Sequence, residues 1–279
     1  MKNELTFALV TGASSGLGKN YAIELAKRGN NVLLIAKKNE GFLQLSEFIT
    51  KTYKVASFYF ETDLTNVHSL EKMITWVESS YSINILINNV GVGGTAIFER
   101  VSSNYINNII QLNIRALTYI THQLLPNLIA TKKRAFILNV SSMAAFCPMG
   151  YKTVYPASKK YIQFFSEGLN YELYDKNVTV ATVFPGPMKT NTDVSERIEK
   201  QGFIAKFSLE TPEEVAKISL NKLFLGKIFI IVGVANKINY LLLKIIPTGL
   251  IAPLLSKILK KELTDNPISY ETAFSNLGT

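Results

Sequence analysis

Cysteine is almost missing from this chain. Its 279 residues hold one, Cys147, so an internal disulfide is excluded and a reducing compartment is expected. Histidine is nearly as scarce. His68 and His122 stand far apart with no cysteine beside either, which gives no basis for a metal site. The opening MKNELTFALV has too short an apolar run for a signal peptide, and a cytoplasmic location is expected. Repeats, low-complexity tracts and Pro/Gly-rich linkers are lacking as well, so the chain reads as one domain with a C-terminal appendage. Acidic residues are missing over one stretch: from Lys217 to Lys261 there are eight lysines and no aspartate or glutamate.

What is present is enough for a large core, with 47% hydrophobic and 18% charged residues. The net charge of +9 raises a polyanionic partner, but no nucleic-acid recognition module is visible and none is expected. Residues 5–10, 31–36, 55–60, 83–88, 135–140, 178–184 and 227–232 read as strands, most of them nearly continuous in Val, Ile, Leu and Phe. Helix-spaced segments lie between them. Alternating β and α units imply an α/β fold, a doubly wound parallel sheet.

Two short stretches carry chemistry. Directly after the first strand comes TGASSGLGKN, Thr11 to Asn20. Gly12, Gly16 and Gly18 lie where a chain turns tightly, nears a ligand and packs a helix on the sheet. The helix after this turn offers unpaired N–H groups and a positive dipole end to a pyrophosphate. Further on, TVYPASKKYI reads as a helix that sets Tyr155 one turn before Lys159, so the phenol and the ammonium share a face.

The spacing Gly-x-x-x-Gly-x-Gly resembles the short-chain dehydrogenase/reductase family, and the resemblance recurs along residues 5–235. NNVG at 88–91 follows the fourth strand, with Val90 where the family has alanine; Asn113 lies in the next long helix. NVSS ends the fifth strand at Ser142, ahead of Tyr155 and Lys159, and PGPMKT at 185–190 follows the sixth. The resemblance implies a Rossmann-type NADP-binding catalytic domain over 1–235 and a basic, apolar helical extension over 236–279. It makes Tyr155 the general acid/base, Ser142 the hydrogen-bond donor to the substrate oxygen, Lys159 the group holding the nicotinamide ribose, and Asn113 the anchor of a proton-relaying water. An unperturbed phenol, with a pKa of about 10, suits neutral pH poorly, and the charge of Lys159 is expected to favour the phenolate. Tyr151 has no lysine four residues on, and Ser141 lacks the family's spacing to Tyr155. Both are set aside.

The cofactor expected is NADP(H). A NAD-binding chain ends its second strand with a carboxylate for the ribose 2′-hydroxyl; here Ala36 stands there, followed by Lys37 and Lys38. Two cations suit a 2′-phosphate, and Ser14 and Ser15 add hydroxyls. By resemblance, Leu17, Asp63, Leu64, Asn89, Gly91, Pro185, Gly186 and Thr190 complete the cofactor site, with Asp63 accepting from the adenine amine and Asn89 and Gly91 passing the adenine ribose.

The substrate loop is placed at about 187–211, with Met188, Phe203 and Phe207; Met143, Phe146 and Met149 follow the serine. These side chains point to an apolar small-molecule ketone or aldehyde, or the corresponding alcohol. In the extension, the longest uncharged run, Ile245 to Ser256, has twelve residues, short of the roughly twenty needed to span a bilayer. Lysine-edged apolar helices suit peripheral contact with an anionic membrane, a lid or a subunit contact. Family members commonly pair through helices that fall here at about 103–130 and 156–175, so a homo-oligomer is expected.

Overall fold

The computed structural model describes residues 5–38, 41–188 and 209–264, apart from the side chains at 262 and 264. The last two residues of the cofactor motif, Lys189 and Thr190, and the expected loop residues Phe203 and Phe207 lie outside the described residues.

All seven expected strands form: β1 (Thr6–Thr11), β2 (Asn31–Ala36), β3 (Ser57–Glu61), β4 (Ser82–Asn88), β5 (Ala135–Val140), β6 (Val178–Phe184) and β7 (Phe229–Ile231). They make one parallel sheet in the order β3-β2-β1-β4-β5-β6-β7. The chain winds outward from β1 in one direction and then, from β4, in the other, so a crevice opens between the C-terminal ends of β1 and β4. β1 and β5 are buried at every position, which is why their sequences run apolar without alternation. β3, at an edge, is half exposed.

Helices cover both faces. Ala8 and Val10 of β1 point toward α1 (Gly16–Lys27), α2 (Phe42–Tyr53) and α7 (Pro212–Phe224). Phe7 and Leu9 point the other way, toward α3 (Val67–Ser80) and α5 (Leu117–Ala130). Between α4 (Ser103–Ile110) and α5 the chain makes a π-helical turn, Gln111–Ala116, which carries Asn113. A single long helix, α6 (Val154–Glu172), bears the tyrosine and lysine.

The predicted boundary at 235 falls inside the first turn of α8 (Val234–Ile245), which is followed by α9 (Thr248–Thr264). Both helices are seated on the sheet domain. Asn236 and Leu259 are buried, Tyr240 packs edge-on against Phe146 with ring centroids 4.7 Å apart, and Ser256 Oγ accepts from Gly150 N at 2.8 Å.

Candidate active site

The glycine turn after β1 is a cradle that side chains would fill. Gly12 sits at φ 67°, and a Cβ there would meet Asn89 Nδ2 at 2.9 Å; a Cβ on Gly18 would collide with the Gly12 carbonyl. The side chain of Ser15, at the N-cap of α1, makes no capping bond, which leaves the leading N–H groups of that helix to a ligand. Thr11 fastens the turn to β4: its hydroxyl donates to Ile87 O and accepts from the N–H of Asn89 and of Val90. Asn89 Nδ2 donates to Thr11 O at 3.0 Å, so this side chain braces the turn. Leu17 and Leu64 put their side chains into the core and can offer a cofactor only main-chain atoms. A turn held open in this way fits a pyrophosphate.

Four elements converge at the other end of the crevice. Ser142 lies two residues past β5, at the start of a 3-10 turn, and its Oγ accepts from Ala144 N at 3.2 Å while hydrogen-bonding the Tyr155 phenol. Lys159 is buried one turn further along α6; its Nζ donates to Val140 O at 2.9 Å and lies 5.7 Å from the Tyr155 ring centroid. Burial lowers its pKa to about 8. A Cβ on Gly91 would lie 3.1 Å from both Lys159 Nζ and Asn113 Oδ1, and one on Gly93 would strike the Tyr155 ring. The loop after β4 must therefore be glycine-rich to pass the catalytic helix.

Asn113 is fully buried and ties three elements together. Its Oδ1 accepts from Val92 N, and its Nδ2 donates to Val92 O and to Ser158 Oγ, each at 2.9 Å. Ser158 in turn donates to Tyr155 O at 2.7 Å. Ser141, set aside as a catalyst, donates to Lys159 O at 2.7 Å and so pins α6 to the end of β5. Ser158 and Thr11 went unnoticed in the sequence. The available signal was their size and place: a small hydroxyl just before the lysine, and another ahead of the glycine turn.

Two expectations change. The Tyr155 pKa stands above its ordinary value: burial raises it, and the Ser142 bond only partly offsets that. Lys159 does not reverse this, because its ammonium is turned to the Val140 carbonyl and lies toward the ring. At the adenosine end, Lys37 and Asp63 were expected to meet opposite parts of a ligand. Instead they meet each other, Nζ to Oδ2 at 3.1 Å. Burial would raise the Asp63 pKa, but bonds from Thr65 N and Oγ1 and the nearby Lys37 more than offset it and hold the carboxyl low. Both partners are more than two-fifths exposed, so the pair is worth at most about 1 kcal/mol and a ligand phosphate can compete for Lys37. Lys38 is exposed beside it.

The residues expected to meet the substrate follow β5 and β6. Met143 N donates to Pro185 O at 3.0 Å, and Met143 and Phe146 join a cluster with Phe184, Phe229, Ile231 and Tyr240. Met149 is half-buried next to Gly150, the residue bonded to α9. Met188 packs on the α1 side of the sheet, and its backbone pairs with Glu210, a buried carboxylate whose Oε2 accepts from Gly186 N at 3.2 Å. A hollow of about 500 Å³ lies at the opposite, N-terminal ends of β5 and β6, lined by Arg134, Lys176 and Asn177, away from all of these groups.

The comparisons with known proteins agree with this geometry. The short chain dehydrogenase family matches residues 6–201. Very-long-chain 3-oxoacyl-CoA reductase-B of Danio rerio is 32% identical over 219 residues, 77% of this chain and 68% of that protein. Inactive hydroxysteroid dehydrogenase-like protein 1 of Homo sapiens is 34% identical over 181 residues; the match takes in 64% of this chain and 54% of the human protein's length. A solved short-chain dehydrogenase from Sphingobium yanoikuyae in complex with NADPH superposes with a TM-score of 0.74 at 26% identity, covering 90% of this chain and 95% of that one. With the glycine turn, the Ser142–Tyr155–Lys159 group and the sheet order all in place, the chain belongs to the short-chain dehydrogenase/reductase family.

Proposed function

We propose that this chain is an NADPH-dependent reductase of apolar ketones or aldehydes, running in reverse on the corresponding alcohols. The reading is carried by one observation: a phenol hydrogen-bonded to Ser142, with a buried lysine one helical turn away. When bound, the nicotinamide supplies hydride to the carbonyl carbon. The chain's own residues handle the oxygen. Ser142 donates a hydrogen bond to it and stabilises the charge that develops there. Tyr155 gives its Oη proton to that oxygen and is left as a phenolate, which regains a proton from solvent. A phenol with a raised pKa is fully protonated at neutral pH, as a proton donor for reduction must be. Lys159, buried one turn from Tyr155, holds the nicotinamide ribose. Lys37 and Lys38 favour the 2′-phosphate of NADPH, consistent with a related structure that holds this cofactor.

Met143, Met149 and Phe146 favour an apolar substrate, in line with a relative named for very-long-chain substrates. The chain pairs with a second copy through α5 and α6, where Ile129, Phe164 and Tyr171 are exposed. A second reading, a cofactor-binding protein without turnover, draws on the relative called inactive. The intact Asn113, Ser142, Tyr155 and Lys159 weigh against it. NADPH oxidation, followed over ketones and aldehydes of graded chain length, tests the choice; turnover that rises with chain length supports the reductase, and none with any carbonyl supports the second reading.

A further inference from the structure

The two C-terminal helices are amphipathic the wrong way round for a domain surface. On α8 the positions facing the sheet domain are Asn236, Tyr240 and Leu243, spaced i, i+4 and i+7. The opposite stripe, Val234, Ile238, Leu241 and Ile245, is exposed, with Ile245 at 76%. α9 repeats this: Leu259 is buried, while Leu250, Leu254 and Ile258 form an outward row. Lys237 and Lys244 edge the α8 stripe, and Lys257 and Lys260 stand on the outer face of α9, all exposed. No acidic residue occurs between Lys217 and Lys261 to balance them. No helix among the described residues is long and apolar enough to cross a membrane.

We propose that the outer face of α8 and α9 docks on an anionic lipid surface, and that the site takes its carbonyl substrate from that lipid. Charge decides the occupant. A second copy of the chain would bring the same lysines against themselves, whereas an anionic bilayer attracts each of them and admits the Leu/Ile row. The same helices wall the segment after Ser142: Tyr240 packs on Phe146, and Ser256 bonds Gly150. Docking therefore brings the substrate side of the site to the membrane. The substrate part of this inference rests on the reductase reading; the docking part does not.

Flotation of the full chain with vesicles of phosphatidylcholine, with and without phosphatidylserine, tests the docking without any turnover. Binding is expected to the anionic vesicles only, and to fall roughly tenfold or more at high salt, since exposed charges are screened over about 8 Å at physiological ionic strength. Lys237→Glu with Lys244→Glu, and separately Leu241→Ser with Ile245→Ser, should abolish flotation while NADPH binding and thermal stability persist. No low-salt binding to anionic vesicles overturns the proposal. So does a shift from oligomer to monomer on Leu241→Ser with Ile245→Ser in a chain that never floats, which would assign the face to a second copy. In the second arm, the lysine variant should lose rate on a long-chain ketone carried in anionic vesicles and keep its rate on a short, water-soluble ketone. Equal losses on both overturn delivery from lipid, and no turnover by the unmodified chain on either points to failure of the reductase reading, with flotation still deciding the docking.

Discussion

At Lys159 stability and function pull in opposite directions. Its pKa falls from 10.5 to about 8 because burial disfavours the charge, so the folded state binds protons less well than the unfolded chain. Stability contributed at this position therefore rises as pH climbs from about 8 toward 10.5, and is least at neutral pH. Lys159→Met should abolish turnover yet raise the melting temperature at pH 7, because it removes a charge that burial disfavours. Calorimetry of the variant checks this, and a lower melting temperature would contradict it. NADPH affinity should also weaken above pH 8, as the ammonium proposed to hold the ribose loses its proton; fluorescence titration reads it. Tyr155→Phe keeps the packing and removes the donor, so turnover should fall by roughly 10²-fold or more with NADPH binding intact. At the adenosine end, Lys37→Glu with Lys38→Ala should cut or reverse the preference for NADPH over NADH. Each charge-assisted contact is worth roughly 1.5–3 kcal/mol, about tenfold or more in affinity. Equal affinities for the two cofactors in the unmodified chain would remove the ground for this assignment.

The strands were legible because parallel strands covered on both faces need continuous apolar runs, and few other segments have them. β4 through β6 match the sequence reading to within a residue at each end. What stayed hidden is non-local. The π-helical turn at Gln111–Ala116 has no sequence signature of its own, and it is held where Asn113 finds partners 21 and 45 residues away. Likewise, the side chains of Lys37 and Asp63 pair only because β2 and β3 are neighbours in the sheet. Asn113→Ala would leave the Val92 N–H, the Val92 carbonyl and Ser158 without these bonds in a buried place, at a cost of about 1–3 kcal/mol for each group that finds no water. The first turn of α6 would loosen with it. We expect a lower melting temperature and a fall in kcat larger than any rise in KM, measured on the same preparation. An unchanged kcat would confine Asn113 to stability.

At the scale of the whole molecule, the sequence suggested an appendage, and the structure shows why that view is incomplete. Composition registers the lysines and leucines that α8 and α9 turn outward, but not the few residues they turn inward. Those few reach the site. Asn236 is buried beside Gly186 of the cofactor motif, where a Cβ would collide with it, and it hydrogen-bonds Glu210, which also accepts from Gly186 N. Tyr240 closes the aromatic cluster of Phe146, Phe184 and Phe229. Ending the chain at Ala235 would expose this cluster and remove Leu259 from the core. Two large apolar side chains are worth about 1.5–3 kcal/mol each. At about 2–4 °C per kcal/mol for a domain of this size, the melting temperature should drop by on the order of 10 °C. Because Asn236 and Glu210 hold Gly186, NADPH should also bind more weakly to the truncated chain, and the stabilisation that NADPH confers in a thermal-shift titration should shrink. A truncated chain that melts and binds NADPH like the full one would mean that α8 and α9 serve the outer surface alone.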